Sequence, residues 1–156
     1  MNVFRLVLLL LFAGSLTLGA QQPQPRGTLY AESDPFNFRL ETYASSKVTI
    51  NAEQAVILLF DYKGTFETSG YVELQELPKG IVLPAKYKAR IKIFQGTGRF
   101  AFTGEVHSFQ IMSRKGNVNF EGRGAFTMGG KGFYRTAKGE IPLYGIATRD
   151  IFVPGD

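Results

Sequence analysis

Alternation of apolar and polar residues with a period of two runs through most of the chain after residue 20. The segments FNFRL (36–40) and VNFE (118–121) are examples. In an extended chain this period sends successive side chains to opposite faces, and no segment after residue 20 has a convincing helical period. The segment AEQAVILLF (52–60) is apolar on all sides after Ala55 and predicts a buried strand. The chain is therefore predicted to be all-β.

Turn signals separate the alternating segments at short intervals. They are Ser45-Ser46, Lys63-Gly64, Pro78-Lys79-Gly80, Gly96-Thr97-Gly98, Lys115-Gly116-Asn117, Gly129-Gly130-Lys131-Gly132 and Lys138-Gly139. Strands that are spaced in this way without intervening helices, about nine or ten of them here, predict an antiparallel β-jellyroll or an open β-roll. We expect it to be a single β domain over residues 28–156.

A weak internal repeat relates residues 55–72 to residues 89–106. It places Gly64 on Gly98, Gly70 on Gly104 and Phe66 on Phe100. Both copies are predicted to form a strand, a glycine turn and a second strand. The alternative is that a hairpin-rich chain with many Gly and Phe residues aligns with itself by chance.

The first twenty residues have the layout of a secretory signal peptide, because Arg5 precedes an apolar run from Leu6 to Phe12 that small and polar residues follow. We expect residues 1–20 to be cleaved after Ala20 and residues 21–27 to form a flexible lead-in. The protein is thus predicted to be exported, to a periplasm or the extracellular space. An uncleaved amino-terminal membrane anchor is the alternative. With no cysteine in the chain, disulfides are excluded.

Charge is strongly segregated along the sequence. Residues 79–138 contain 12 Lys and Arg against only Glu105 and Glu121, a net of +10, although the whole chain has a net charge of +5. Such asymmetry suggests an anionic partner, or self-association of a dipolar molecule.

The most basic stretch is AKYKARIKIF (85–94), which the period predicts to be a strand with a cationic face and an apolar face. The cationic face comprises Lys86, Lys88, Arg90 and Lys92. These cations either form a solvated face that protects a sheet edge or contact the phosphate groups of a ligand or membrane.

Enzyme motifs are nearly absent. There is no thiol nucleophile, His107 is the only histidine, and no GxSxG elbow occurs. The segment GGKG (129–132) lacks the spacing of a phosphate-binding loop. We therefore predict a non-enzymatic protein without metal or cofactor, and export argues against a nucleic-acid partner.

Phenylalanine dominates the apolar inventory, with 14 Phe and no Trp. In a small sheet protein a bulky interior of this kind is able to enclose an apolar ligand, and dense core packing is the alternative. The residues predicted to line the interior are Ile57, Leu59, Phe66, Ile91, Ile93, Phe100 and Phe102.

One pattern of residues recurs along the chain, at Ala52, Ala55, Phe66, Gly70 and Val72, then at Ala89, Phe100, Gly104 and Val106, then at Ile141 and Gly145. A chain with this pattern resembles the OstA-like lipopolysaccharide-transport family of periplasmic β-jellyroll proteins. The resemblance covers roughly residues 48–152.

This resemblance implies an open roll whose two sheets hold acyl chains, and oligomers formed by pairing of edge strands. Together with the basic stretch, it predicts an exported protein that binds or transports an amphipathic anionic lipid. A second copy or a related envelope protein is the expected protein partner. The alternatives are a structural or envelope-interaction protein with a filled core, and a lipocalin-like barrel for small apolar ligands.

Overall fold

Strands make up most of the described chain. The computed structural model describes residues 27–83, 85, 90–144 and 149–153. The strands are β1 (Gly27–Thr42), β2 (Ser46–Leu74), β3 (Ile91–Ser113), β4 (Lys115–Gly122), β5 (Gly124–Thr136), β6 (Gly139–Leu143) and β7 (Arg149–Val153). They form one sheet in which every pairing is antiparallel. The predicted all-β antiparallel fold is confirmed.

The described residues contain seven strands, fewer than the nine or ten expected. Two strands are long, because β2 has 29 residues and β3 has 23. Both run through glycines where turns are predicted, at Lys63-Gly64 and at Gly96–Gly98. Among the residues that the structure describes, no helix is long and apolar enough to cross a bilayer. The predicted signal peptide, residues 1–20, lies outside the described residues.

The long strands β2 and β3 form a ribbon that coils on itself. Residues 91–104 of β3 pair with residues 46–60 of β2 on one side, and residues 93–106 pair with residues 62–74 of β2 on the other. The first half of β3 therefore has β2 on both sides. Residues 62–74, called here the β2 edge segment, pair on one side only, with β3.

The remaining strands extend the sheet from the coiled ribbon. Strand β4 pairs with β2 and β1, and β1 also pairs with the end of β3 and with β5. Strands β6 and β7 both pair with β5. Within the described residues, the sheet is an open roll with the β2 edge segment at one edge and β6 and β7 at the other.

Close approach of the ribbon strands explains the repeated glycines. A Cβ atom at Gly104, whose φ is +145°, would lie 2.2 Å from the carbonyl oxygen of Lys63 and 2.6 Å from the Cα of Gly64. One at Gly70, whose φ is +83°, would lie 3.3 Å from the Cα of Gly98. Glycine is required where backbones approach this closely. The glycines of one copy of the repeat thus lie against those of the other.

The sheet buries side chains on both faces. The main core lies inside the roll and draws on β1 to β6, for example Leu29, Val48, Phe109, Phe120, Tyr134 and Leu143. A second cluster of Leu58, Phe60 and Ile93 lies on the outer face. Leu77, Ile81 and Leu83, from the connection between β2 and β3, pack against this second cluster.

Candidate functional site

Five of the residues predicted to line the interior lie in or against the main core. Ile57, Leu59, Phe100 and Phe102 are buried there, and Phe66 is partly buried against it. Their period-two positions on β2 and β3 place them on the inner face, as the alternation predicts.

The assignment of Ile91 and Ile93 to the same interior is wrong. Ile93 is part of the second cluster, and Ile91 packs against that cluster. Ile93 lies opposite Leu58 in the register, so both side chains point to the outer face. The apolar run after Ala55 predicts a strand buried on both faces, as β2 is at residues 57–60, but the sequence does not show that Ile93 lies on the outer side of that segment.

Of the four predicted cationic residues, the structure describes Arg90 and Lys92, and these two differ in exposure. Lys92 pairs in the register with Leu59 of the main core, so it lies on the inner face of the roll, at its end. Its ammonium group forms an ion pair with Glu73 of the β2 edge segment. Arg90 precedes β3, and its side chain is 83% exposed. Lys86 and Lys88 lie outside the described residues.

A basic cleft brings Arg90 and Lys92 together with a segment of β2. The cleft has a volume of about 550 Å³. It is lined by Asp61, Tyr62, Lys63, Gly64, Arg90, Ile91 and Lys92. Three cations and one carboxylate therefore surround it, a net of +2 in its lining.

A backbone irregularity at Asp61 borders this cleft. Asp61 has a φ of +47° and is left out of the pairing between β2 and β3. The register is the same on both sides of Asp61, since Phe60 pairs with Ser108 and Tyr62 with Val106. The strand nevertheless changes the face on which it places its side chains, so Phe60 belongs to the second cluster while Tyr62 packs against the main core. Asp tolerates this backbone conformation better than most residues.

Neighbouring groups favour the charged form of Lys92 in this cleft. The hydrogen bond to Glu73 raises the pKa of Lys92, and the charges of Glu73 and Tyr62 act in the same direction. The guanidinium Nε of Arg90 lies 4.0 Å from Oδ1 of Asp61. The cleft is thus suited to a phosphate or another anionic group.

An aromatic row connects the basic cleft to the main core. The ring of Tyr62 lies 6.1 Å from that of Phe66 and 6.3 Å from that of Phe102. Phe66 in turn lies 5.0 Å from Phe94 and 6.0 Å from Phe100. Tyr62 and Phe66 are both partly exposed. A ligand with a charged head and an apolar tail would meet both kinds of surface here.

Three residues of this site are not predicted from the sequence, namely Tyr62, Lys63 and Glu73. The pair Lys63-Gly64 has the composition of a turn, and the alternation within the β2 edge segment is the only signal for the other two. Their role depends on how the ribbon coils, which places residues 61–64 beside residues 90–92.

Polar clefts on the outer face are a second feature that the sequence did not single out. One, of about 430 Å³, includes Thr28, Lys47 and Arg135, and its neighbour, of about 560 Å³, includes Asn51 and Asn117. Their lining mixes both signs of charge with amide and hydroxyl groups. In the part of the chain that the structure describes, no group of three or more His, Cys, Asp or Glu residues is arranged to hold a metal ion.

Comparison with known proteins yields no match. No family model matches the chain, and no curated protein or solved structure matches it significantly. The class that the fold defines is an all-β protein with an open antiparallel roll. The resemblance to the OstA-like family stays a prediction.

Proposed function

We propose that this protein is an exported, non-enzymatic protein that binds or transports an amphipathic anionic lipid. The observation that carries the proposal is the basic cleft, which lies next to Tyr62 and Phe66 at the edge of the phenylalanine-rich core. Lys63, Arg90 and Lys92 would contact the anionic head group. The acyl chain would enter beside the aromatic row.

The β2 edge segment provides the route by which the interior opens. It pairs with β3 alone, and Tyr62 and Phe66 are its partly exposed aromatic residues. Opening the roll at this edge displaces these two rings, and it separates fewer strand pairings than opening the roll at any central strand would. The same unpaired edge supports association with a second copy or a related envelope protein through strand pairing.

Ring packing supports a second candidate, a structural or envelope-interaction protein with a filled core. Phe94 and Phe100 have ring centroids 5.0 Å apart, and Phe109 lies 5.8 Å from Phe100. At these distances the rings contact one another. An acyl chain between them would therefore have to displace side chains.

Calorimetric titration with two short-chain lipids separates the candidates. Monomeric dihexanoyl phosphatidic acid and dihexanoyl phosphatidylcholine have the same acyl chains but differ in head-group charge. We expect the phosphatidic acid to bind more tightly. The double variant Lys63→Glu/Arg90→Glu should bind phosphatidic acid about tenfold more weakly or worse, because the loss of each charge-assisted contact lowers the affinity by a factor of about ten.

A matched control has the same change of net charge at other exposed positions, Lys47→Glu/Lys131→Glu. Its affinity for phosphatidic acid should stay close to that of the parent. Absence of binding by either lipid would favour the filled-core candidate. An equal loss of affinity in both double variants would remove the basic cleft from recognition.

A further inference from the structure

The connection between β2 and β3 exposes an apolar tip. Residues 75–83 cross the outer face of the roll, where Leu77, Ile81 and Leu83 pack against the second cluster. Val82 lies between two of these anchoring residues, yet it is 90% exposed. The packing of its neighbours holds Val82 at the surface of the protein.

A second exposed aliphatic residue extends this apolar surface. Val72 is 63% exposed, and it precedes by two residues Leu74, which packs against the second cluster. On a strand, residues two apart share a face. Val72 and Val82 are therefore two exposed aliphatic side chains at the margins of one apolar cluster, and such patches mark interaction sites when charged residues border them.

Basic residues, called here the basic border, precede and follow residues 80–83 in the sequence. The sequence from Lys79 to Lys92 contains five Lys and Arg residues and no Asp or Glu. Of these residues, Lys79 and Arg90 are exposed. The acidic groups nearby include Glu76, which precedes the tip, and Glu73, which pairs with Lys92.

We propose that residues 77–83, with Val82 at their tip, dock this protein onto the surface of a bilayer that contains anionic lipids. Aliphatic side chains gain free energy when they enter the boundary between head groups and acyl chains. Lysine and arginine side chains beside them gain further free energy from the negative surface potential. The apolar tip and the basic border together favour an anionic bilayer, rather than a protein surface, as the partner of this segment. Docking requires no lipid inside the roll, so it does not depend on the proposed function.

The absence of tryptophan from the chain allows a site-specific test. In the variant Val82→Trp, the only tryptophan is at the tip, on the full-length chain. We expect its emission to shift to the blue when vesicles of phosphatidylcholine and phosphatidylglycerol are added. Because the reporter is at residue 82, attachment through another part of the chain would not produce the shift.

Tyr43→Trp is the control reporter. Tyr43 is exposed and lies in the turn between β1 and β2, beside the end of β2 that is remote from the tip. Its emission should not change when the vesicles are added. No shift at residue 82, or equal shifts at residues 43 and 82, would overturn the docking proposal and leave the patch to a protein partner.

The contribution of the basic border is tested in the Val82→Trp background. Adding Lys79→Glu should weaken binding to the anionic vesicles roughly thirtyfold, because the reversal removes one attractive charge and adds one that the negative surface potential repels, about 2 kcal/mol in total. Adding Lys131→Glu instead should have little effect. Equal affinity for vesicles of phosphatidylcholine alone, with no effect of Lys79→Glu, would overturn the electrostatic part of the proposal.

Discussion

Phe100 is the residue at which the aromatic contacts of the core converge. Its ring is fully buried and lies within 6.1 Å of the rings of Phe66, Tyr71, Phe94 and Phe109. These neighbours come from both long strands, and Phe66 and Tyr71 belong to the β2 edge segment. Phe100 therefore attaches the edge of the roll to its interior.

Replacement of Phe100 by alanine should destabilise the protein by about 3–5 kcal/mol, because the lost ring leaves a cavity that its neighbours on the two long strands are unable to fill. The matched control is Phe133→Ala, since Phe133 is partly exposed on β5. We expect a clearly smaller loss there. Urea denaturation followed by circular dichroism measures both changes. A loss below about 0.5 kcal/mol for Phe100→Ala, typical of an exposed site, would contradict its place in the core.

At the scale of elements, the period of two correctly predicted strands and many inward positions. Turns were predicted less well. Lys63-Gly64 and Gly96–Gly98 have the composition of turns, yet each lies within a continuous strand. Their glycines are required by the close approach of a strand distant in sequence, since a Cβ atom at Gly64 would lie 2.2 Å from the carbonyl oxygen of Thr103 and 2.8 Å from the Cα of Gly104. Local sequence does not distinguish a glycine that turns the chain from one that admits a neighbouring backbone.

Tyr71 anchors the β2 edge segment. Ionisation of its hydroxyl should make the stability of the protein sensitive to alkaline pH. Its hydroxyl lies 3.3 Å from the carbonyl oxygen of Ala52 and 3.4 Å from that of Gly98. Burial raises the pKa of Tyr71 above its ordinary value of 10.0. The stability that this group contributes is thus fully present below pH ~10 and is lost as the pH rises through the raised pKa.

Tyr71→Phe tests this dependence. The variant should be less stable than the parent by about 1 kcal/mol near neutral pH, because it lacks the hydrogen bonds. Above pH ~10 the parent should lose more stability than the variant, so that their urea midpoints converge. Tyr144→Phe, at an exposed position, is the control and should follow the parent. Midpoints of the parent and Tyr71→Phe that fall in parallel would show that ionisation of Tyr71 is not coupled to folding.

At the scale of the whole molecule, the candidate site depends on long-range pairing more than the fold class does. The sequence predicted Arg90 and Lys92 as contacts for an anionic group, because their charge and their spacing are visible without a structure. It did not indicate that Lys92 faces inward, or that Glu73 and Lys63 lie beside it, because these contacts arise from the coiling of β2 around β3. Coiling is set by pairings between residues far apart in the chain, for which one sequence holds no direct signal.

The continuous sheet also predicts that the molecule unfolds in one step. Strand β1 pairs with β3, β4 and β5, and the main core draws side chains from β1 to β6, so no described strand has a core of its own. Tryptophan reporters at two partly exposed positions, Phe66→Trp on the β2 edge segment and Phe133→Trp on β5, would follow the two sides of the sheet separately. In each variant the urea midpoint from fluorescence should equal the midpoint from circular dichroism, as expected of a two-state transition. An earlier midpoint at residue 66 alone would instead mean that the edge segment opens independently, the motion by which a lipid would enter the roll.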